Sequence, residues 1–282
     1  EGRKWLLDNT NVFLFTVRDP IARLISAYNY HRYEYSTGSA KKFPRLAKFY
    51  TQCFPGSFDS MIDDLRNGPS VECSKMGVNA LLGKIRNGGA HFEFNYEHYL
   101  KYTISQRPNH AVAVVRTEHM WEDVIHLDQV LGGTGNYGKM EGFKFTHGSE
   151  NFTGAHSTGI STSNTVFLCC LISREIEVYQ QMILKALNLD DEQKRETLND
   201  LLGRCLITSE EKDVLQHPFS WRAFRQGEIC SDPLRNFSDS FSAPTTINRT
   251  PSIVVRDKNA SNMMPENPRI YLIHVGKAGG ST

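Results

Sequence analysis

Three short apolar runs divide this chain, and each reads as a buried strand. Val12-Phe-Leu-Phe-Thr-Val17 lies between the turn-forming Asp8-Asn-Thr-Asn11 and Asp19-Pro20; Ala111-Val-Ala-Val-Val115 and Arg269–Val275 have the same character. Continuous apolar runs this short, bounded by turn residues, predict strands rather than helices. A helix follows the first run, because Ile21, Leu24, Ile25 and Tyr28 recur at helical spacing, with Asp19 suited to the N-cap and Pro20 to the first helical position. The second run leads through Arg116-Thr117-Glu118 into a helix carrying Trp121, Val124, Leu127 and Leu131, which ends at Gly132-Gly133. Strand, charged corner, helix, twice over, predicts an α/β fold with a parallel sheet flanked by helices.

Elsewhere the pattern is helical or irregular. Val166–Leu187 carries one long stripe (Leu168, Ile172, Ile176, Tyr179, Ile183, Leu187), read as core, and Asp190–Cys205 a shorter, more polar helix. Residues 36–70 read as a variable insertion with an amphipathic piece near Phe58–Leu65, and Asn79–Ile85 as a further helix before Gly88-Gly89. Gly132–Gly159 has loop composition. From Ser231 to Pro268 the chain is rich in Pro, Ser, Thr and Asn, which is linker composition. Three segments result: a core at 1–230, a polar linker or stem at 231–268, and a strand with its following loop at 269–282.

Composition narrows the function classes. The 282 residues carry a formal net charge of +1, so no global field points to nucleic acid or to a membrane surface, and any anion site must be local. No run approaches the roughly 18 apolar residues of a membrane helix. The six cysteines lack a paired Cys-x-x-Cys pattern, which argues against structural zinc and leaves disulfides and buried thiols as equal readings. Sequons stand at Asn151, Asn236, Asn248 and Asn259, three of them in the polar stretch, which leans towards a glycoprotein of the secretory pathway with a glycosylated stem.

Two motifs carry chemistry. The strand Tyr271-Leu-Ile-His-Val275 runs into Gly276-Lys277-Ala-Gly279-Gly280-Ser281-Thr282. Backbone N–H groups of such a turn, at the start of a helix, point at an anion while a lysine adds a mobile positive charge. Because Lys277 precedes the two glycines, the order differs from the Gly-x-x-x-x-Gly-Lys-Ser/Thr loop of ATPases. The second motif, Arg18-Asp19-Pro20-Ile-Ala-Arg23-Leu-Ile-Ser26-Ala-Tyr28, places a guanidinium at a strand end and a hydroxyl on the next helix, groups that together suit a dianionic phosphate.

Together these segments resemble the sulfotransferases that use 3′-phosphoadenosine 5′-phosphosulfate (PAPS). The Lys277 loop is similar to the family's 5′-phosphosulfate loop, and Arg18 and Ser26 match its 3′-phosphate ligands; Ala111–Glu118 with Glu122-Asp123 is similar to a later strand and acidic corner. The resemblance covers most of residues 1–205 and the last strand and loop. It implies a P-loop-like sulfotransferase fold of the carbohydrate or Golgi type and metal-free in-line transfer of a sulfuryl group from PAPS to a hydroxyl or amine. Lys277 is then catalytic, stabilising charge on the leaving phosphate oxygen, and Arg18, Ser26, Lys277, Gly279, Gly280, Ser281 and Thr282 bind PAPS. Arg23 orders the site, and Glu118 orients loop and helix. The implied acceptor is a carbohydrate or glycoconjugate and the implied location the Golgi lumen, with any type II membrane anchor outside these residues. No general base is assigned among His31, His91, His98 and His274. His91–Tyr99 reads either as an acceptor cleft lining or as a half-buried structural strand or loop.

The halves stand in inverted order relative to the family, so the expected fold is incomplete or circularly permuted, or cut from a tandem array. A chain ending at Thr282 would put a carboxylate where the helix start supplies about half a positive charge, so weak PAPS binding and impaired turnover are expected of this chain alone. Two rival readings stay open: a non-catalytic nucleotide-binding or interaction domain, and a nucleotide kinase-like phosphate-loop enzyme.

Overall fold

The structure, a computed structural model, describes residues 12–37, 44–68, 70–84, 92, 95–98, 110–136, 159–207, 214–216, 218–227, 229–230 and 270–274. It is mixed α/β and mostly helical, built on a parallel sheet. The central strand is β1 (Val12–Val17), flanked by β2 (Ala111–Arg116) on one side and β3 (Ile270–His274) on the other. Both neighbours run parallel to β1, with register from Val12↔Ala111 to Val17↔Arg116 and from Val12↔Ile270 to Thr16↔His274. The strand at Ile270–His274, remote in sequence, therefore joins the same sheet as Val12–Val17.

Helices connect and cover the strands, as parallel pairing requires. Between β1 and β2 come α1 (Pro20–Thr37), α2 (Pro44–Lys48) with a π-helical turn at Phe49–Cys53, α3 (Phe58–Asn67) and α4 (Val71–Leu81). After β2, a single 3₁₀ turn at Thr117–His119 leads into α5 (Met120–Val130), followed by α6 (Thr162–Leu171), α7 (Ser173–Lys185), α8 (Asp191–Arg204) and α9 (Trp221–Gln226). Alternation within β1 and β2 divides their side chains between two layers. Phe13, Phe15, Val112 and Val114 enter the main core with Ile21, Leu24 and Tyr28 of α1 and Phe167, Ile176 and Ile183 of α6 and α7. Val12, Ala113 and Val115 face the other way, onto Leu127 of α5. Burial on both faces explains why the strands read as unbroken apolar runs.

The outer edge of β2 is closed by the chain leaving α7: Ala186 bridges Val112, and the Leu187 N–H donates to the Val112 carbonyl at 2.8 Å. Among the described residues no helix is long and apolar enough to cross a membrane.

Two expectations need correction. The Val166–Leu187 stripe is two helices, not one, because Ile172 (φ −97°, ψ 16°) leaves helical geometry, accepting the end of α6 and starting α7. The helix expected at Asn79–Ile85 lies earlier, over Val71–Leu81, N-capped by Ser70. Within the segment read as a variable insertion, Phe49, Phe54, Phe58, Met61, Ile62 and Leu65 are buried in the main core, and the Tyr28 hydroxyl donates to the Phe54 carbonyl at 2.6 Å. Of the two readings left open for the cysteines, the disulfide one holds, with pairs Cys53–Cys73, Cys169–Cys205 and Cys170–Cys230.

Candidate functional site

All three strands point their carboxyl ends to one edge of the sheet, where open α/β folds bind ligands. Arg18 and Asp19 follow β1 there, Thr117 and Glu118 follow β2, and β3 stops at His274, three residues before Lys277 in sequence. Lys277, Gly279, Gly280, Ser281, Thr282 and His91 lie outside the described residues, as do the four sequons.

At the β1–α1 corner every backbone group from Arg18 to Asp19 has a partner, as burial demands. The Tyr96 hydroxyl accepts the Arg18 N–H at 2.8 Å and donates to the Arg18 carbonyl. Glu118 Oε1 accepts the Asp19 N–H at 3.2 Å, and the Asp19 carbonyl accepts from the Arg23 N–H at 2.8 Å. Asp19 caps α1 as its position in sequence predicts, its Oδ1 accepting the Ala22 N–H at 2.8 Å, while Pro20 contributes no N–H. Burial pushes the Asp19 carboxyl up from its ordinary pKa, against the pull of Arg204, whose Nη1 lies 3.2 Å from Asp19 Oδ1.

The Arg18 guanidinium is different. Its Nε stands 3.8 Å from Glu118 Oε1, and its side chain is 34% exposed, so the rigid corner presents a cation at the sheet edge. Ser26 stands about two turns further along α1 than the N-cap, on the partly exposed stripe it shares with Ala22, Ile25 and Asn29. Arg23 points inward instead. Its Nε donates to Glu175 Oε1 at 2.8 Å and its Nη2 lies 2.5 Å from the same oxygen, in a buried pair, while its guanidinium carbon sits 5.7 Å from the Tyr96 ring centroid. Arg23 therefore ties α1 to α7 beneath the corner. Glu118 bridges the two corners through the Asp19 N–H and the Arg18 side chain.

Sequence reasoning missed the residues that hold this corner from a distance. Tyr96 is fully buried, and desolvation raises its phenol pKa, keeping it protonated. Asn95 fixes it in place: its Oδ1 accepts the His98 N–H at 3.0 Å and its Nδ2 donates to the Leu82 carbonyl at the end of α4, at 3.2 Å. Gly83 (φ +67°) makes room, since a Cβ there would meet Asn95 Nδ2 at 2.8 Å. Of His91–Tyr99 the described residues 92 and 96–98 are helical rather than the expected strand or loop, and Phe92 and Tyr96 are fully buried, which is a structural role. The sequence marks this stretch as rich in aromatics, but nothing local singles out Tyr96.

Beside the corner, Arg116 and Asp123 form a second buried pair. Asp123 Oδ2 accepts the Arg116 N–H at 2.6 Å, Arg116 Nη2 lies 2.6 Å from Asp123 Oδ1, and Arg116 Nη1 donates to Thr197 Oγ1 of α8 at 2.7 Å. This arginine is structural, being 1% exposed. His31 is unsuited to proton transfer at the edge: it is buried beside Tyr50 and Phe92, and burial lowers its pKa to about 4. Among the described residues no group of three or more His, Cys, Asp or Glu is placed to hold a metal ion. The groove of about 380 Å³ lined by Lys48, Glu72, Lys75, Met76 and Asn79 includes none of the edge residues.

Comparison with known proteins finds no matching family model, no matching curated protein and no matching solved structure.

Proposed function

We propose that the chain is built to bind PAPS at the carboxyl edge of its sheet, as a sulfotransferase of P-loop-like fold acting on a carbohydrate or glycoconjugate hydroxyl or amine. One observation carries the reading: β3 lies beside β1 in parallel, Thr16 against His274, so the sequences that follow these neighbouring strands are the Arg18 motif and the Lys277 loop. Motifs from opposite ends of the chain that resemble the two phosphate-binding elements of one family thus follow adjacent strands in the same direction.

In this reading Arg18 and Ser26 hold the 3′-phosphate, and Lys277 with the Gly279–Thr282 backbone holds the 5′-phosphosulfate. The acceptor oxygen or nitrogen attacks sulfur in line, the bond from sulfur to the 5′-phosphate oxygen breaks, and adenosine 3′,5′-bisphosphate leaves with its new charge opposite Lys277. The acceptor's proton passes to a base that these residues do not identify. The three disulfides support an oxidising compartment, in keeping with the sequons and with a Golgi lumenal location.

Equilibrium titration with adenosine 3′,5′-bisphosphate and with adenosine 5′-phosphate tests the reading. Tighter binding of the bisphosphate, abolished by Arg18→Ala, is expected. Equal binding of the two ligands, or binding of ATP with magnesium in their place, overturns it. Bisphosphate binding without sulfuryl transfer to any glycan acceptor would reduce the reading to a nucleotide-binding domain.

A further inference from the structure

We infer that Tyr96 is a positioning residue for the anion grip of Arg18, acting through the Arg18 backbone; this rests on the reading above. One phenol oxygen takes both the N–H and the carbonyl of Arg18. Those two groups stand just past the last β1 pair with β2, Val17↔Arg116, and no ladder partner remains for them among the described residues. Without Tyr96 the Arg18 N–H loses its partner and the Arg18–Asp19 peptide keeps only the Glu118 bond to the Asp19 N–H, which loosens the backbone that aims the guanidinium. Glu118 cannot substitute, since it holds the next N–H, that of Asp19, and stands 3.8 Å from the Arg18 side chain.

Tyr96 itself has little freedom. Its ring packs 5.6 Å from Tyr179 and lies under Arg23, which Glu175 anchors; Asn95 ties its backbone turn to the end of α4. The hydroxyl is therefore a fixed point built by α1, α4 and α7 together, and the guanidinium is aimed before a ligand arrives. Such preorganisation lowers the ordering cost of binding.

The test compares adenosine 3′,5′-bisphosphate with adenosine 5′-phosphate in wild type, Tyr96→Phe and Arg18→Ala. The ratio of the two affinities isolates the 3′-phosphate, so a general loss of stability that weakens both ligands leaves it unchanged. Tyr96→Phe is expected to cut the ratio by about tenfold, the scale of one or two net hydrogen bonds, and to have no further effect in an Arg18→Ala background. Replacement of Tyr96 by p-aminophenylalanine, which donates well but accepts poorly, is expected to give an intermediate ratio and decides the matter if Tyr96→Phe does not fold. A wild-type ratio in whichever of the two variants folds overturns the inference while leaving the binding reading intact. A wild-type chain with no preference for the bisphosphate would instead fail the reading itself.

Discussion

Asn188 completes the edge of the sheet by pairing with Val114 as a neighbouring strand would. Its Oδ1 accepts the Val114 N–H at 2.8 Å, and its Nδ2 donates to the Val114 carbonyl at 2.7 Å and reaches the Asp123 carbonyl at 3.3 Å. Asn188→Leu keeps the branched outline of the side chain, though in a larger volume, and strands two buried backbone groups of β2, at a cost of about 2–4 kcal/mol. Urea denaturation measures it; a change within ~0.5 kcal/mol, ordinary for a surface substitution, would show that the side chain is dispensable.

Acid sensitivity should trace in part to His31. Burial lowers its pKa from 6.5 to about 4, so the folded state binds the proton less readily than the unfolded chain. The stability gained by keeping the ring neutral is complete above about pH 6.5 and is lost as pH falls towards 4. His31→Phe, which suits the aromatic surroundings, is expected to remove about 2–3 kcal/mol of the drop between neutral pH and about pH 4.5. Parallel stability curves for wild type and variant would refute the assignment.

The disulfides make a covalent prediction. Alkylation of the denatured, unreduced protein is expected to label none of the six cysteines, and peptide mapping should link the peptide carrying Cys169 and Cys170 to both Cys205 and Cys230. Opening either link by paired Cys→Ser substitution is expected to cost about 2–4 kcal/mol. Free thiols at these positions would contradict the pairing.

The proposed chemistry divides between the two ends of the chain, and steady-state kinetics with PAPS should divide with it. Arg18→Ala is expected to raise the KM for PAPS by about 10- to 100-fold through lost charge-assisted bonds. Lys277→Ala should act on kcat, by about 10²- to 10³-fold, because its charge is needed most as the phosphate leaves. The reverse split would exchange the two roles.

Local signals were legible in the sequence. The strand at Val12–Val17, the cap at Asp19, the end of α5 near Gly132 and the polar helix after Asp190 all follow from a few neighbouring residues, and all four appear where the pattern puts them. The break at Ile172 was hidden because the apolar stripe continues across it. Tyr96 lies 78 positions from the corner it holds, and Glu175 lies 152 from Arg23. Neither pairing has a local signature, since each exists only once the chain has folded. The pairing of cysteines was equally invisible, as spacing alone does not choose among the possible connectivities. The two motifs that the sequence did mark, far apart and resembling phosphate-binding elements, follow strands that lie side by side, a pairing of β3 with β1 that has no local signature either.

Cys169 and Cys170 are chain neighbours bound to different partners, Cys205 and Cys230. A protease that cuts once anywhere from residue 171 to residue 229 therefore severs the backbone without releasing either piece. A nick before Cys205 leaves two covalent straps across the wound, and one after it leaves a single strap. On a gel such damage would stay hidden until a reductant was added.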